Sequence, residues 1–105
     1  MGWCHCSICR RTTGAPAMVW VTVERRALTI EGTPRVYRSS SRAERWFCGE
    51  CGAQMAFAPD GKPTVDLMIG CFDQPERFAP GEHSFFCEHI GWFDPADGLP
   101  RREGD

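Results

Sequence analysis

The chain has 105 residues, a net charge of −2 and an apolar fraction of 42%, which suits a single domain whose modest core forms as roughly 60–70% of the unfolded surface is buried. The near-neutral balance argues against a nucleic-acid partner, which would favour a strongly basic face, and no run approaches the ~18 apolar residues of a membrane span. Seven cysteines follow a start, Met1-Gly2-Trp3-Cys4, with neither the basic nor the apolar region of a signal peptide; together they predict a reducing compartment, the cytoplasm, and thiols free to take metal. Met1-Gly2 is also a poor match to a myristoylation signal, because Cys6 stands where that signal has Ser or Thr.

In chain order, Cys4-His5-Cys6-Ser7-Ile8-Cys9 comes first, and Ile8 to Thr13 reads as no more than a helical turn. Residues 17–24, bounded by Gly14-Ala15-Pro16, are β-branched and apolar and predict a buried strand. Arg35-Val36-Tyr37-Arg38 alternates as a short strand and runs into the turn-forming Ser39-Ser40-Ser41. Arg45-Trp46-Phe47 and Ala53-Gln54-Met55-Ala56-Phe57 flank Cys48-Gly49-Glu50-Cys51 and predict a hairpin with that turn at its tip. After the turn Asp60-Gly61-Lys62-Pro63, Thr64 to Ile69 predicts another strand, Pro75 to Phe78 a helical turn, and His83 to Cys87 a last strand. The tail from Asp94 to Asp105 is rich in Pro, Gly and charge and is expected to wrap or fray. Many short strands with Pro and Gly punctuation predict an all-β domain over residues 1–105.

The chemistry lies in the cysteines. Five of the seven sit in two clusters at metal-ligand spacing, and zinc takes thiolates at about 2.3 Å. A thioredoxin-type redox pair would need a βαβ setting, which neither cluster has. Cys4 and Cys6 are two apart, so in extended backbone their side chains leave one face, and Cys9 closes a tight turn on Cys6. All three thiolates can then converge on one ion with a fourth position open, the arrangement of catalytic zinc. The same residues allow a rival: two of the triple with Cys48 and Cys51 make one closed, ribbon-like Cys4 site. Arg10 and Arg11 follow the triple and either offset its charge or grip a ligand carboxylate, although paired arginines are commonly just solvated. His5 points away from its cysteine neighbours; His83 and His89 read as hydrogen-bonded or exposed. Cys71 and Cys87 stand alone in apolar surroundings, and Phe85-Phe86 and Trp92-Phe93 read as packing.

Those residues also carry a likeness. Cys4-His5-Cys6-Ser7-Ile8-Cys9-Arg10-Arg11 with Gly14-Ala15-Pro16 resembles the glutathione-dependent formaldehyde-activating enzyme family, which includes centromere protein V. Further matches are Phe47-Cys48-Gly49-Glu50-Cys51-Gly52, Asp66 to Gly70, Phe72-Asp73-Gln74-Pro75, His83, and Trp92 to Pro100. The resemblance implies a twisted β-sheet domain of the β-tent type with two zinc sites. It implies a catalytic zinc on Cys4, Cys6 and Cys9, and a structural zinc to which Cys48 and Cys51 give two ligands. The family draws the other two from a Gly-x-Cys-x-Cys-Gly strand upstream of the triple. The chain as given starts at Met1, so that strand is expected upstream in the reading frame, or the second site is expected to be partly filled.

The activity implied is a zinc-dependent, carbon–sulfur lyase-type enzyme run in the synthetic direction, joining glutathione or a related thiol to formaldehyde or a small aldehyde. Arg10 or Arg11 would hold a carboxylate of the thiol. The rival is a non-catalytic, zinc-stapled module that binds a protein partner.

Overall fold

Period-2 alternation of apolar residues builds one sheet whose two faces do different work. The computed structural model describes every residue from Met1 to Asp105. Its strands are β1 (Gly2–Cys4), β2 (Met18–Glu24), β3 (Arg35–Tyr37), β4 (Ala43–Phe47), β5 (Gln54–Pro59), β6 (Thr64–Met68) and β7 (His83–Ser84), with one helix, α1 (Ser7–Thr13). They form a single seven-stranded sheet in the order β3-β4-β5-β6-β2-β1-β7. Every pairing is antiparallel except β1 with β7. The molecule is therefore mostly sheet, as an all-β reading requires, but mixed, and it carries one true helix.

Cross-strand register gives each face its identity. On one face Arg45 lies opposite Phe57 and Phe57 opposite Asp66. Met68 lies opposite Trp20, while Cys4 pairs with both Met18 and Ser84. Buried Cys4, Cys9, Met18 and Met68 pack on this side with Trp20, Phe57 and Phe85. The alternate residues Ala56, Ala58 and Val65 pack on the other side with Val23, Leu28, Trp46 and Leu67. Successive side chains of a strand leave opposite faces, so a sulfur-rich face and an apolar face arise from the same strands. Only 16 of 105 residues are buried, which makes each of them costly to lose: Met68→Ala is expected to remove about 2–5 kcal/mol.

The helical turn expected over Ile8 to Thr13 is a seven-residue helix, one residue longer at its start. It lacks a hydrophobic stripe and an ordinary cap; Cys6 takes the cap position, its sulfur accepting from the Cys9 N–H at 3.3 Å. Its end is conventional, with Gly14 left-handed at φ 70° and its N–H on the Arg10 carbonyl, a conformation that costs glycine nothing. β7 is shorter than expected because Phe85 turns left-handed at φ 51° and Phe86–Glu88 coil into a 3₁₀ turn. Pro75–Arg77 is likewise a 3₁₀ turn. The tail wraps: the His83 N–H bonds the Pro100 carbonyl, Arg102 N–H the His83 carbonyl and Phe85 N–H the Gly104 carbonyl, at 2.7–2.8 Å. It thereby satisfies backbone groups that an edge strand would leave open. Trp92 is 76% exposed, not packed, while Phe93 sits edge-on to Trp3. No helix is long and apolar enough to cross a membrane.

Candidate functional site

Cys4 closes β1, Cys6 caps α1 and Cys9 lies in its first turn. This strand-to-helix step gathers the three sulfurs within 4.8 Å of one another. Cys4 and Cys9 are buried, each 7% exposed, and Cys6 is half-buried. Sulfurs that close exchange protons. Cys4 is pushed far up by hydrogen bonding to Cys6, then to Cys9, and by burial. Cys6 is pushed far down because it accepts from Cys4 and Cys9, and the Arg45 charge adds to the effect.

Arg45 is the residue that sequence reading missed. It is 5% exposed, and both terminal nitrogens of its guanidinium point at Cys9 Sγ, 3.6 Å each. The group lies over the Phe57 ring, 5.0 Å from its centre, with one nitrogen 3.4 Å from Thr12 Oγ1. A guanidinium stays charged when buried, so its place here favours ionisation within the three-sulfur cluster. The signal was present: in Ala43–Phe47 alternation puts Arg45 on the buried phase with Ala43.

This donor set fits zinc. Sulfurs about 2.3 Å from one tetrahedral ion stand about 3.8 Å apart, the scale of the observed cluster. Thiols that share protons among themselves release them to solvent when a divalent cation binds, and the Arg45 charge would offset the third thiolate. Three donors leave one coordination position for a substrate or water.

The triple opens into a cavity of about 390 Å³. Met18, Trp20, Phe57, Met68 and Phe85 give it apolar walls, and Ser39 and Ser40 also line it. Its charged groups are Arg45 and the carboxylates of Asp66, Glu88 and Asp105. Thr22 Oγ1 donates to one oxygen of Asp66 at 2.6 Å, and the Ser7 N–H to one oxygen of Glu88 at 3.0 Å. Burial pushes the Asp66 carboxyl up.

Cys48 and Cys51 lie elsewhere. They stand at the tip of the β4–β5 hairpin, outside the three-sulfur cluster. There the Gly52 N–H bonds the Cys48 carbonyl and the Cys48 N–H the Ala53 carbonyl, at 2.8 and 2.9 Å. Backbone hydrogen bonds from Cys51, then from Glu50, hold the Cys48 thiol below its ordinary value. The turn offers two thiolates, half of what a structural zinc takes. Arg10 and Arg11 do not line the cavity: Arg10 Nε donates to the His5 carbonyl at 3.1 Å, and Arg11 is exposed. Cys71 and Cys87 are exposed, Cys71 donating to the Gln54 carbonyl at 3.3 Å. His5 is fully buried on the side away from the sulfurs, and burial lowers it to about 4. His89 stacks on Phe86 and bonds its carbonyl.

Comparison with known proteins agrees with this geometry. Residues 1–89 match the family model described as glutathione-dependent formaldehyde-activating enzyme. Over 55 residues the chain is 36% identical to a protein of Schizosaccharomyces pombe named as an uncharacterized lyase. That stretch is 52% of this chain and spans 40% of the yeast protein's length.

Proposed function

The chain belongs to the glutathione-dependent formaldehyde-activating enzyme family, and on that premise we propose that it is a lyase-type enzyme joining a small thiol, glutathione first among them, to formaldehyde at a zinc ion held by Cys4, Cys6 and Cys9. The single observation that carries this reading is the convergence of three thiols, within 4.8 Å, on a cavity large enough for a small molecule. Zinc on three thiolates would supply a fourth position for the substrate sulfur and lower its pKa, which makes it the nucleophile.

The chain's own residues do the remainder. Arg45 offsets the negative charge gathered on Cys9. Met18, Trp20, Phe57, Met68 and Phe85 shed water from the reacting carbon. Asp66 and Glu88 each keep an oxygen for a protonated amine, which suits the α-ammonium of glutathione. The sulfur of the thiol forms a bond to the aldehyde carbon, the carbonyl π pair moves to oxygen, and the proton given up by the thiol ends on that oxygen. The product is an S-hydroxymethyl thioether, with no oxidant or reductant required. Cys48 and Cys51 are assigned a separate, structural metal; its other ligands would come from the Cys-x-Cys strand that the family carries upstream.

Exchange NMR at equilibrium tests the proposal, following hydrated formaldehyde and S-hydroxymethylglutathione. Zinc-loaded protein should raise the exchange rate in proportion to its concentration, and Cys9→Ser should not. Exchange no faster with the loaded protein than in buffer would leave the non-catalytic interaction module as the better account.

A further inference from the structure

Taking the triple as a metal-bound thiol site, we infer that His83 and Asp97 are positioning residues that act on it through His5. His5 stands between Cys4 and Cys6 and is gripped at every polar point but one. Its N–H bonds the Ser84 carbonyl at 3.1 Å, and its carbonyl accepts from Arg10 Nε at 3.1 Å. Its ring Nε2 meets His83 Nδ1 at 2.8 Å, and His83 Nε2 meets Asp97 Oδ2 at 2.8 Å. Both imidazoles are 0% exposed. Trp3 stacks parallel on His83, and Phe86 closes edge-on against His5.

Hydrogen-bond direction follows from the carboxylate. An ionised Asp97 can only accept, so the His83 Nε2 carries the proton. Its Nδ1 then accepts from His5 Nε2 when His83 is neutral and donates to it when His83 is protonated, and the two rings are bonded in either case. Asp97 itself is oriented by the Leu99 N–H at 3.1 Å. The remaining nitrogen, His5 Nδ1, is buried without a partner. The bond to His83 is therefore the ring's one polar tether, and the chain from Asp97 fixes its direction.

The backbone carries the effect to the sulfurs. Cys4 ends a strand and Cys6 is extended at φ −63°, ψ 151°. Successive side chains in extended backbone leave opposite faces. A His5 ring clamped on one side therefore holds Cys4 and Cys6 on the other, both facing the cavity. Without the clamp the segment can rotate, and the two sulfurs no longer share one ion. Groups that orient metal ligands from outside typically cost about 10–100-fold in metal affinity when lost.

Cobalt(II) binding to the whole chain tests this, read by the sulfur-to-cobalt charge-transfer band and by competition with a chromophoric chelator. Asp97 is the better target, since it lies at the surface end of the chain and His83 substitutions risk the fold. Asp97→Ala should weaken cobalt binding about tenfold or more and shift the band, while Asp97→Asn, which keeps one of the two accepting oxygens, should recover part of the loss. Val65→Ala, in the apolar cluster on the opposite face, serves as a control of lowered stability and should bind like wild type. Equal affinity and superposable bands for Asp97→Ala and wild type would overturn the inference, as would an equal loss in Val65→Ala. A wild type with no such band removes the metal-site premise, and the inference with it.

Discussion

The chain's two cysteine clusters share a Cys-x-x-Cys spacing and little else. Cys4, Cys6 and Cys9 are held from three sides: the sheet register on Cys4, the cap of α1 on Cys6, and a buried guanidinium on Cys9. Cys48 and Cys51 are held by their own turn alone, at a hairpin tip where Cys51 is exposed. Spacing brings a pair of thiols together; burial and a charged partner turn such a group into a place where chemistry can be controlled. On the proposed function, this difference suits the first cluster to catalysis and the second to a structural staple.

Substitution should separate the two regions, and the largest effect belongs to the triple. Cys9→Ser is expected to abolish both metal at the triple and accelerated adduct exchange, measured by metal content and NMR. Full exchange activity in that variant would break the distinction. Arg45 comes next. Replacing it with Met removes hydrogen bonds to an ionised sulfur, worth about 1.5–3 kcal/mol, and should weaken metal retention by at least about tenfold. Arg45→Lys keeps the charge but not the two-pronged geometry and should fall between. Chelator competition on the three proteins ranks them, and equal affinities would remove Arg45 from the site.

The knuckle should respond in stability only. Cys48→Ser is expected to cost about 1–2 kcal/mol, seen as a lower melting temperature, with the triple still carrying its metal. If that variant loses all its metal, the two clusters share one ion after all.

The smallest effect sharpens the picture within the cavity. Burial raises the Asp66 pKa, so the folded state holds this proton more tightly than the unfolded one, and stability falls as pH rises through the carboxylate range. Asp66→Asn should remove that slope, leaving the protein slightly more stable at neutral pH, by less than about 1 kcal/mol, yet a weaker binder of glutathione. Melting curves from pH 4 to 8 show the first half, and thiol titration the second. A variant less stable than wild type at pH 7 would mean that the Asp66 charge is favourable in the fold.

Much of this was legible from residues alone, for identifiable reasons. The strands at Met18–Glu24, Arg35–Tyr37 and Thr64–Met68 declare themselves through β-branched, alternating side chains. The hairpin carrying Cys48 and Cys51 follows from two such runs around a Gly-containing turn. The helix after Cys6 reads in the sequence as only a turn, starting one residue late, because a cysteine does the work of a Ser or Asp cap. Arg45 stayed hidden because one arginine in a strand looks solvent-facing until the register shows Phe57 beside it and Cys9 above. The chain from Asp97 through His83 to His5 joins residues 14 and 78 positions apart, a distance that spacing rules do not reach. Arg10 and Arg11 show the converse: adjacency to a motif in sequence suggested a ligand contact, while α1 turns Arg10 back onto the His5 carbonyl.

The central claim is that the three-sulfur cluster holds a metal with one position free for a thiol. It is tested most directly by titrating cobalt-loaded protein with glutathione while recording the ligand-field bands. The account predicts a saturable change in those bands with glutathione, and none with S-methylglutathione, which keeps the peptide and lacks the free thiol. Bands unmoved by glutathione, in protein whose sulfur-to-cobalt absorption vanishes in Cys9→Ser, would contradict it and make the site closed.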